Sequence, residues 1–381
     1  MSDRVGLIGI SVRAAAEALG PKVIERVWDL YCDWDTEQAA PNRCDRLSLA
    51  GIVNSLTAPN RKPMAWLTTG GLDLEPAVLA ALQTHPNRLL GLSLDSVRYC
   101  KNPAQWCDKL RHAGLAILPI EYRALCPPGH WHLKRNWPQS APTWFWQQHG
   151  DGTLGSAIFL AQGSGVELVG CSRLFVRPDW RYQGNAADRS WPNEEAKKTL
   201  LRIATVLAED IQPRGLFGID FMLGQQLWPL EINPRPTASV EVLAELHRRN
   251  LFQEHVRACW PTAGGFATND RAADLHLSKT SEVRLSAKRI VYNSEQEFSI
   301  TDDRFQQFQQ CSTFQPIAHP IKTFASGTFR LADLPHPGTI VPPREPICSI
   351  LYHLPAITAE PVPTVEEIWT ELAALEDHLL H

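Results

Sequence analysis

A chain of 381 residues is longer than one ordinary hydrophobic core organises and predicts two or three domains. Hydrophobic residues make up 44% and charged ones 20%, which is the composition of a folded globular protein and excludes a wholly disordered chain. The formal net charge of −4 excludes a general electrostatic attraction to nucleic acid or to anionic membranes, so neither is expected as a partner.

Residues 4–11 read as a buried strand, with Ser11 placed to cap a helix that starts at Arg13 and is closed by Gly20. Residues 27–36 read as a second strand with acids at its end, and residues 62–71 as a third that ends in Gly70-Gly71. A helix from residue 75 to about residue 83 follows, with Pro76 in its first turn. Strand and helix alternate here, which predicts an open parallel sheet with functional loops at the carboxyl ends of its strands. No Gly-x-Gly-x-x-Gly occurs, so no dinucleotide site is expected. Residues 101–112 read as a helix ended by Gly114, and residues 156–161 and 165–170 as an antiparallel pair around Gln162-Gly163-Ser164. Residues 194–210 form a helix with apolar positions at Ala196, Leu200, Ile203, Ala204 and Leu207. Residues 239–251 continue helically. Past residue 265 the composition turns β-rich and Pro-rich, and a helix over 365–379 closes the sequence. The expected domains are 1–115, 116–265 and 266–381.

The most informative stretch is residues 215–237, two short apolar strands joined by a turn at Gly224-Gln225-Gln226. With a two-residue loop, Gly224 pairs with Leu227 and Asp220 falls opposite Glu231. Glu231 and Asn233 are two residues apart and share a face, with Arg235 just beyond the strand end. Like charges placed opposite each other in a sheet are destabilising unless something offsets them. A hard divalent cation does so, and an all-oxygen donor set points to magnesium or manganese rather than zinc. Magnesium commonly shares its coordination with substrate phosphates, which directs attention to nucleotide chemistry. The bland alternative is an exposed hairpin with solvated acids; the surrounding Leu, Ile, Phe and Trp, and the prolines that follow, argue against it.

This stretch resembles the ATP-grasp signature, in which an acid on one strand is followed by Glu-x-Asn-x-Arg on the next. The resemblance implies an ATP-grasp fold: an N-terminal open parallel α/β domain, an α+β nucleotide-binding part and a small C-terminal β-rich subdomain. Residues 289–293, 332–339 and 346–351 look like that subdomain. The resemblance also implies that Asp220, Glu231 and Asn233 hold magnesium and that Arg235 stabilises charge on the phosphates and the acyl-phosphate intermediate. Lys134, in the strand-like residues 131–134, resembles the lysine of the α- and β-phosphates, and Lys101 is a second phosphate contact. Residues 144–152 resemble the adenine strand and hinge, with an aromatic slot and Gln147 or Gln148 as edge partner; an aromatic core strand is the alternative. Residues 6–16 and the turn at 33–36 are similar to the preceding domain of the small-ligase branch, which includes tyramine–glutamate ligase-type enzymes. One part departs from the pattern. Only residues 135–146 follow Lys134 before the hinge, without glycine, where the family carries a Gly-rich loop. The glycines at 150–155 or a partner subunit are the candidate substitutes.

The implied activity is an ATP- and magnesium-dependent carboxylate–amine ligase with small-molecule carboxylate and amine substrates, in one-carbon cofactor biosynthesis of the tetrahydromethanopterin or methanofuran kind. The rival is a non-catalytic relative that binds nucleotide or a metabolite, or serves a partner ligase. A sheet-rich protein with no nucleotide is the third reading. Nine cysteines without a Cys-x-x-Cys pair, and an N-terminus without a long apolar segment, read as a reduced cytoplasmic protein. No apolar run approaches the roughly 18 residues of a membrane span. Cys126, His130 and His132 lack a fourth ligand at a zinc-like spacing. Oligomeric state is left open, a homodimer being one arrangement.

Overall fold

Strand and helix alternate from the start of the chain: β1 (Val5–Gly9), α1 (Arg13–Leu19), β2 (Ile24–Asp29), α2 (Trp34–Ala39), β3 (Cys44–Arg46), α3 (Leu49–Thr57), β4 (Ala65–Thr68), α4 (Pro76–Gln83) and β5 (Arg88–Leu90). The five strands form one parallel sheet in the order β3-β2-β1-β4-β5. β1 and β4 are buried throughout, as central strands of a sheet covered on both faces must be. The computed structural model describes residues 4–41, 43–46, 48–58, 64–84, 88–138, 143–163, 165–262, 282–316, 327–356 and 363–380.

Helices α5 (Leu94–Cys100) and α6 (Pro103–His112) lead to a three-stranded antiparallel sheet of β6 (Ile120–Glu121), β7 (Trp131–Arg135) and β8 (Trp144–Gln148), ordered β6-β8-β7. The largest sheet follows, built from β9 (Thr153–Gln162), β10 (Gly165–Val176), β11 (Tyr182–Asp188), β12 (Gly215–Leu223) and β13 (Leu227–Asn233). Helix α7 (Glu194–Ile211) packs on it through Ala196, Leu200, Ile203, Ala204 and Leu207, all buried. Helices α8 (Ser239–His247) and α9 (Leu251–Cys259) come next, broken at Arg248 where φ is +56°. The chain then adds β14 (Val283–Tyr292), β15 (Phe298–Ser299), α10 (Asp302–Gln310), β16 (Gln315–Pro316), β17 (Thr328–Ala332), β18 (Ile340–Val341), β19 (Pro346–Pro355) and α11 (Val365–Leu380). β14, β19, β17 and β16 extend the same sheet, whose order is β13-β12-β9-β10-β11-β14-β19-β17-β16. The fold is therefore mixed α/β, with a parallel sheet beside a large antiparallel one.

Several local expectations need correcting. The second strand ends at Asp29 rather than running to residue 36. The Asp29 carboxylate accepts from the amides of Tyr31 and Cys32, both at 2.9 Å, which turns the chain toward α2. The same carboxylate accepts from Val12 N at 2.7 Å and so takes the capping role expected of Ser11. Ser11 Oγ instead donates to Asp333. The helix expected over 101–112 begins at Pro103, and Lys101 caps the preceding α5. Cys32, in the turn after β2, and Cys44, at the start of β3, are disulfide-bonded with Cα atoms 6.3 Å apart, which departs from the fully reduced cysteines expected. Residues 62, 63 and 164 lie outside the described residues. Among the described residues no helix is long and apolar enough to cross a membrane.

Candidate active site

β12 and β13 pair antiparallel, and Asp220 does lie opposite Glu231. The turn, however, is one residue longer than expected, because Leu223 pairs with Leu227. The register is restored by a bulge: Phe221 faces Pro229 and Asp220 faces Glu231, so Leu230 is left unpaired. A bulge frees the skipped carbonyl from the ladder. Lys134 Nζ donates to Leu230 O at 3.2 Å, and Gln147 Nε2 does so at 3.4 Å. His132, Lys134, Phe145 and Gln147 share the inner face of the three-stranded sheet, as their pairing requires. Gln147 is buried at 3% exposure, whereas Gln148 lies on the outer, exposed face away from Lys134. Trp144 and Trp146 share that outer face, so they do not line the slot beside Lys134.

The carboxylates meet a cation that belongs to the chain. Lys101 Nζ donates to Glu231 Oε1 at 2.6 Å and to Asn233 Oδ1 at 3.5 Å, and lies 3.5 Å from Asp73 Oδ2. Asn233 Nδ2 donates to Asp220 Oδ2 at 2.9 Å, which aims the amide oxygen at the same point. Burial would raise the Glu231 carboxyl, but Lys101 and Lys134, with Arg235, outweigh it and hold it at about 2. Asp220 is pushed above the usual carboxylate range by burial and by Glu231. Burial lowers Lys134 against the pull of Glu231 and Asp220. For Lys101 burial acts in the same direction, but Glu231 and Asp73 overcome it and keep the ammonium charged.

Arg235 lies where the two sheets meet. Its Nε donates to both Asp73 oxygens at 2.9 Å, and a Cβ built on Gly70 would come within 3.9 Å of its guanidinium. Gly70 and Asp73 follow β4 at the carboxyl edge of the parallel sheet, where the strand order departs from the central β1–β4 pair to β2 and β3 on one side and to β5 on the other. Open α/β sheets place ligands at such a crevice. Asp73 is the site residue that the sequence reading missed; its signal was its position just past Gly70-Gly71 at a strand's carboxyl end.

Asp220, Glu231, Asn233, Lys101, Lys134, Gln147 and Arg235 thus gather around the hairpin, and Gln148 does not. The donor set of Asp220, Glu231 and Asn233 is all oxygen, and two of its members already converge on one cation, which fits a hard divalent metal. Cys126, His130 and His132 form no comparable set. His132 Nε2 shares a hydrogen bond of 2.9 Å with His149 Nδ1, and Trp180 packs 4.1 Å from the His132 ring. Among the described residues no three His, Cys, Asp or Glu side chains converge as a metal cluster. The glycines at 150–155 are no substitute lid. A Cβ at Gly152 would strike the Leu223 carbonyl and one at Gly155 the rings of Phe221 and Trp191, so this segment is packed into the body.

Residues 131–239, which span both the Lys134 strand and the acidic hairpin, match the ATP-grasp domain family. The chain contains an ATP-grasp domain. A stretch of 64 residues is 38% identical to a formate-dependent phosphoribosylglycinamide formyltransferase of Cupriavidus necator, covering 16% of each chain. The architecture of the chain is similar to that of biotin carboxylase from Campylobacter jejuni (TM-score 0.62, 10% identity, 91% of this chain and 87% of that one). It is also similar to the biotin carboxylase domain of Hydrogenobacter thermophilus 2-oxoglutarate carboxylase, solved with MgADP and bicarbonate (TM-score 0.64, 9% identity, 92% and 86%). Pyruvate carboxylase of Rhizobium etli superposes with a TM-score of 0.66 at 10% identity, over all of this chain and 38% of its own. The chain thus spans well under half of that enzyme, and the stretch matched in the formyltransferase is a small part of it.

Proposed function

We propose that this chain is an ATP- and magnesium-dependent ligase that joins a small carboxylate to an amine through an acyl phosphate. The observation that carries the reading is the convergence of Glu231, Asn233 and Arg235, from the residues that match the ATP-grasp domain, with Lys101 and Asp73 from the N-terminal part of the chain. A substrate carboxylate oxygen would attack the γ-phosphorus and ADP would leave. An amine nitrogen would then attack the acyl carbon, expel phosphate and lose its proton. Asp220, Glu231 and Asn233 would hold magnesium, which when bound supplies charge neutralisation for the phosphates. Lys134 would neutralise phosphate oxygens from the opposite wall of the cleft. Gln147 would meet the base edge, and Lys101 would be a further phosphate contact. Arg235, fixed by Asp73, would stabilise charge that develops between the transferring phosphoryl and acyl groups.

The divisions at 115/116 and 265/266 remain our working domain boundaries, with the substrate carboxylate entering along the edge that carries Gly70 and Asp73. A cytoplasmic homodimer is the assembly we expect, and light scattering tests it. The reading as a non-catalytic relative is favoured by one observation, the short link between β7 and β8, eight residues from 136 to 143. ADP formation in a screen of acid and amine pairs, one-carbon cofactor precursors included, decides between the two. Wild-type protein should form ADP through repeated turnovers only when acid, amine and magnesium are all present, and Glu231→Gln should lower turnover on the order of a hundredfold or more. Turnover unaffected by Glu231→Gln would remove the metal assignment.

A further inference from the structure

Lys101 stands where a metal bound by this hairpin would have to stand. Its ammonium is 2.6 Å from Glu231 Oε1 and 3.5 Å from Asn233 Oδ1, the two oxygens that converge in the cleft. A divalent ion at its usual distance of about 2.0–2.6 Å from those oxygens would lie against the ammonium, and two cations cannot share that space without strong repulsion. The backbone of Lys101 is pinned. Its amide donates to Val97 O at 3.0 Å and its carbonyl accepts from Trp137 N at 3.2 Å, so only the side chain can move.

The side chain has few alternatives. It is 7% exposed, and its remaining carboxylate, Asp73, is already held by Arg235 through both oxygens. A metal that takes Glu231 therefore leaves two cations on one aspartate, unless another anion arrives. Glu231, with 43% of its side chain exposed, is the member of the set that opens to solvent, from which phosphates would come.

We propose that Lys101 competes with the divalent metal for Glu231 and Asn233, so that metal binds strongly only together with phosphates that give Lys101 a new partner. This rests on the ligase reading above, and it turns the metal site into one that responds to nucleotide. Lys101 acts as a positioning residue for the metal rather than as a permanent ligand-side bystander.

The test is manganese binding to the full chain, followed by electron paramagnetic resonance, with and without a β,γ-methylene analogue of ATP. Wild-type protein should bind manganese alone weakly and bind it at least about tenfold more tightly with the analogue. Lys101→Met should bind manganese alone about tenfold or more tightly than wild type, with the dependence on the analogue reduced. Lys101→Arg keeps the charge and should behave as wild type, with melting curves checking that both variants fold. If wild type shows analogue-dependent binding but Lys101→Met binds manganese alone no better, the competition is wrong while the ligase reading survives. If neither protein binds manganese even with the analogue, both are overturned.

Discussion

Leu230 illustrates how one backbone oxygen can organise a cleft. Because the bulge removes it from the β12–β13 ladder, its carbonyl must find donors elsewhere. Lys134 and Gln147, from two strands of a different sheet, supply them. The contact holds Lys134 beside Glu231 and Asp220 without a direct ion pair, leaving its charge available to an incoming anion. Burial lowers Lys134 from the usual lysine range, so its affinity for a phosphate is repaid with little lost hydration. Lys134→Met keeps the length and apolar stem but removes the charge-assisted bond. It should weaken binding of ATP by about ten- to a hundredfold, as loss of a charged hydrogen bond worth roughly 1.5–3 kcal/mol implies. Calorimetric titration checks this, and unchanged ATP affinity would show that Lys134 serves the fold alone.

At the scale of elements, α1 depends on a residue outside it. The Asp29 carboxylate accepts from Val12 N at the start of α1 and from Tyr31 N and Cys32 N in its own turn. Burial pushes its carboxyl to about 6 although these three amides favour the charged form. Asp29→Ala leaves buried donors unsatisfied and should cost about 2–4 kcal/mol in urea unfolding. Asp29→Asn retains one acceptor oxygen and should cost roughly half as much; equal midpoints for the two variants would show that the amides find water instead. The same turn explains a limit of reading sequence. Amphipathic repetition made α7 legible, because its five apolar positions needed only the helix's own periodicity. Residues 27–36 looked like one strand because nothing local announces that Asp29 bonds ahead to Tyr31 and Cys32. Pro103 did mark the true start of α6, since proline favours the first helical turn, and would have freed Lys101 to be seen as a cap. Asp220 and Glu231 were read as opposed although the turn was misjudged, because the bulge at Leu230 compensates for the extra loop residue. Asp73 was missed for another reason. Its contact with Arg235 spans 162 positions, and only the meeting of two sheets creates it.

The whole molecule is tied together by a buried ionic cluster that no single segment contains. Arg13, with no exposure, pairs with Glu17 and Asp333 at 2.8 Å and Glu241 at 2.5 Å, and Lys288 pairs with Glu241 and Asp333 at 3.0 and 3.1 Å. α1, α8, β14 and the loop after β17 thus share charges, and an unpaired member would be a buried ion. Burial opposes ionisation of Glu241, yet Arg13 and Lys288 hold its carboxyl at about 2, and Asp333 is held well below the usual range by the same two cations. A carboxyl depressed in the folded state contributes stability above its unfolded pKa of 4.5, and that contribution disappears as pH falls toward 2. Other groups act at higher pH. Burial raises Asp35 and Glu245 to about 7, which erodes stability as pH rises toward that value. Burial also lowers His255 to about 4 and His353 to about 3, which erodes stability as pH falls below 6.5. Asp29, raised to about 6, adds to the acids' side, so these slopes oppose each other between pH 4.5 and 6.5, whereas below about pH 4 the depressed Glu241 and the lowered histidines pull stability downward. Urea midpoints should therefore drop steeply below about pH 4. Glu241→Gln should be less stable at neutral pH and show a shallower acid limb, because the roughly 3 kcal/mol tied to Glu241 is no longer there to lose. An acid limb as steep as that of wild type would mean that the charges between α1, α8 and the C-terminal strands do not govern the pH response of the molecule.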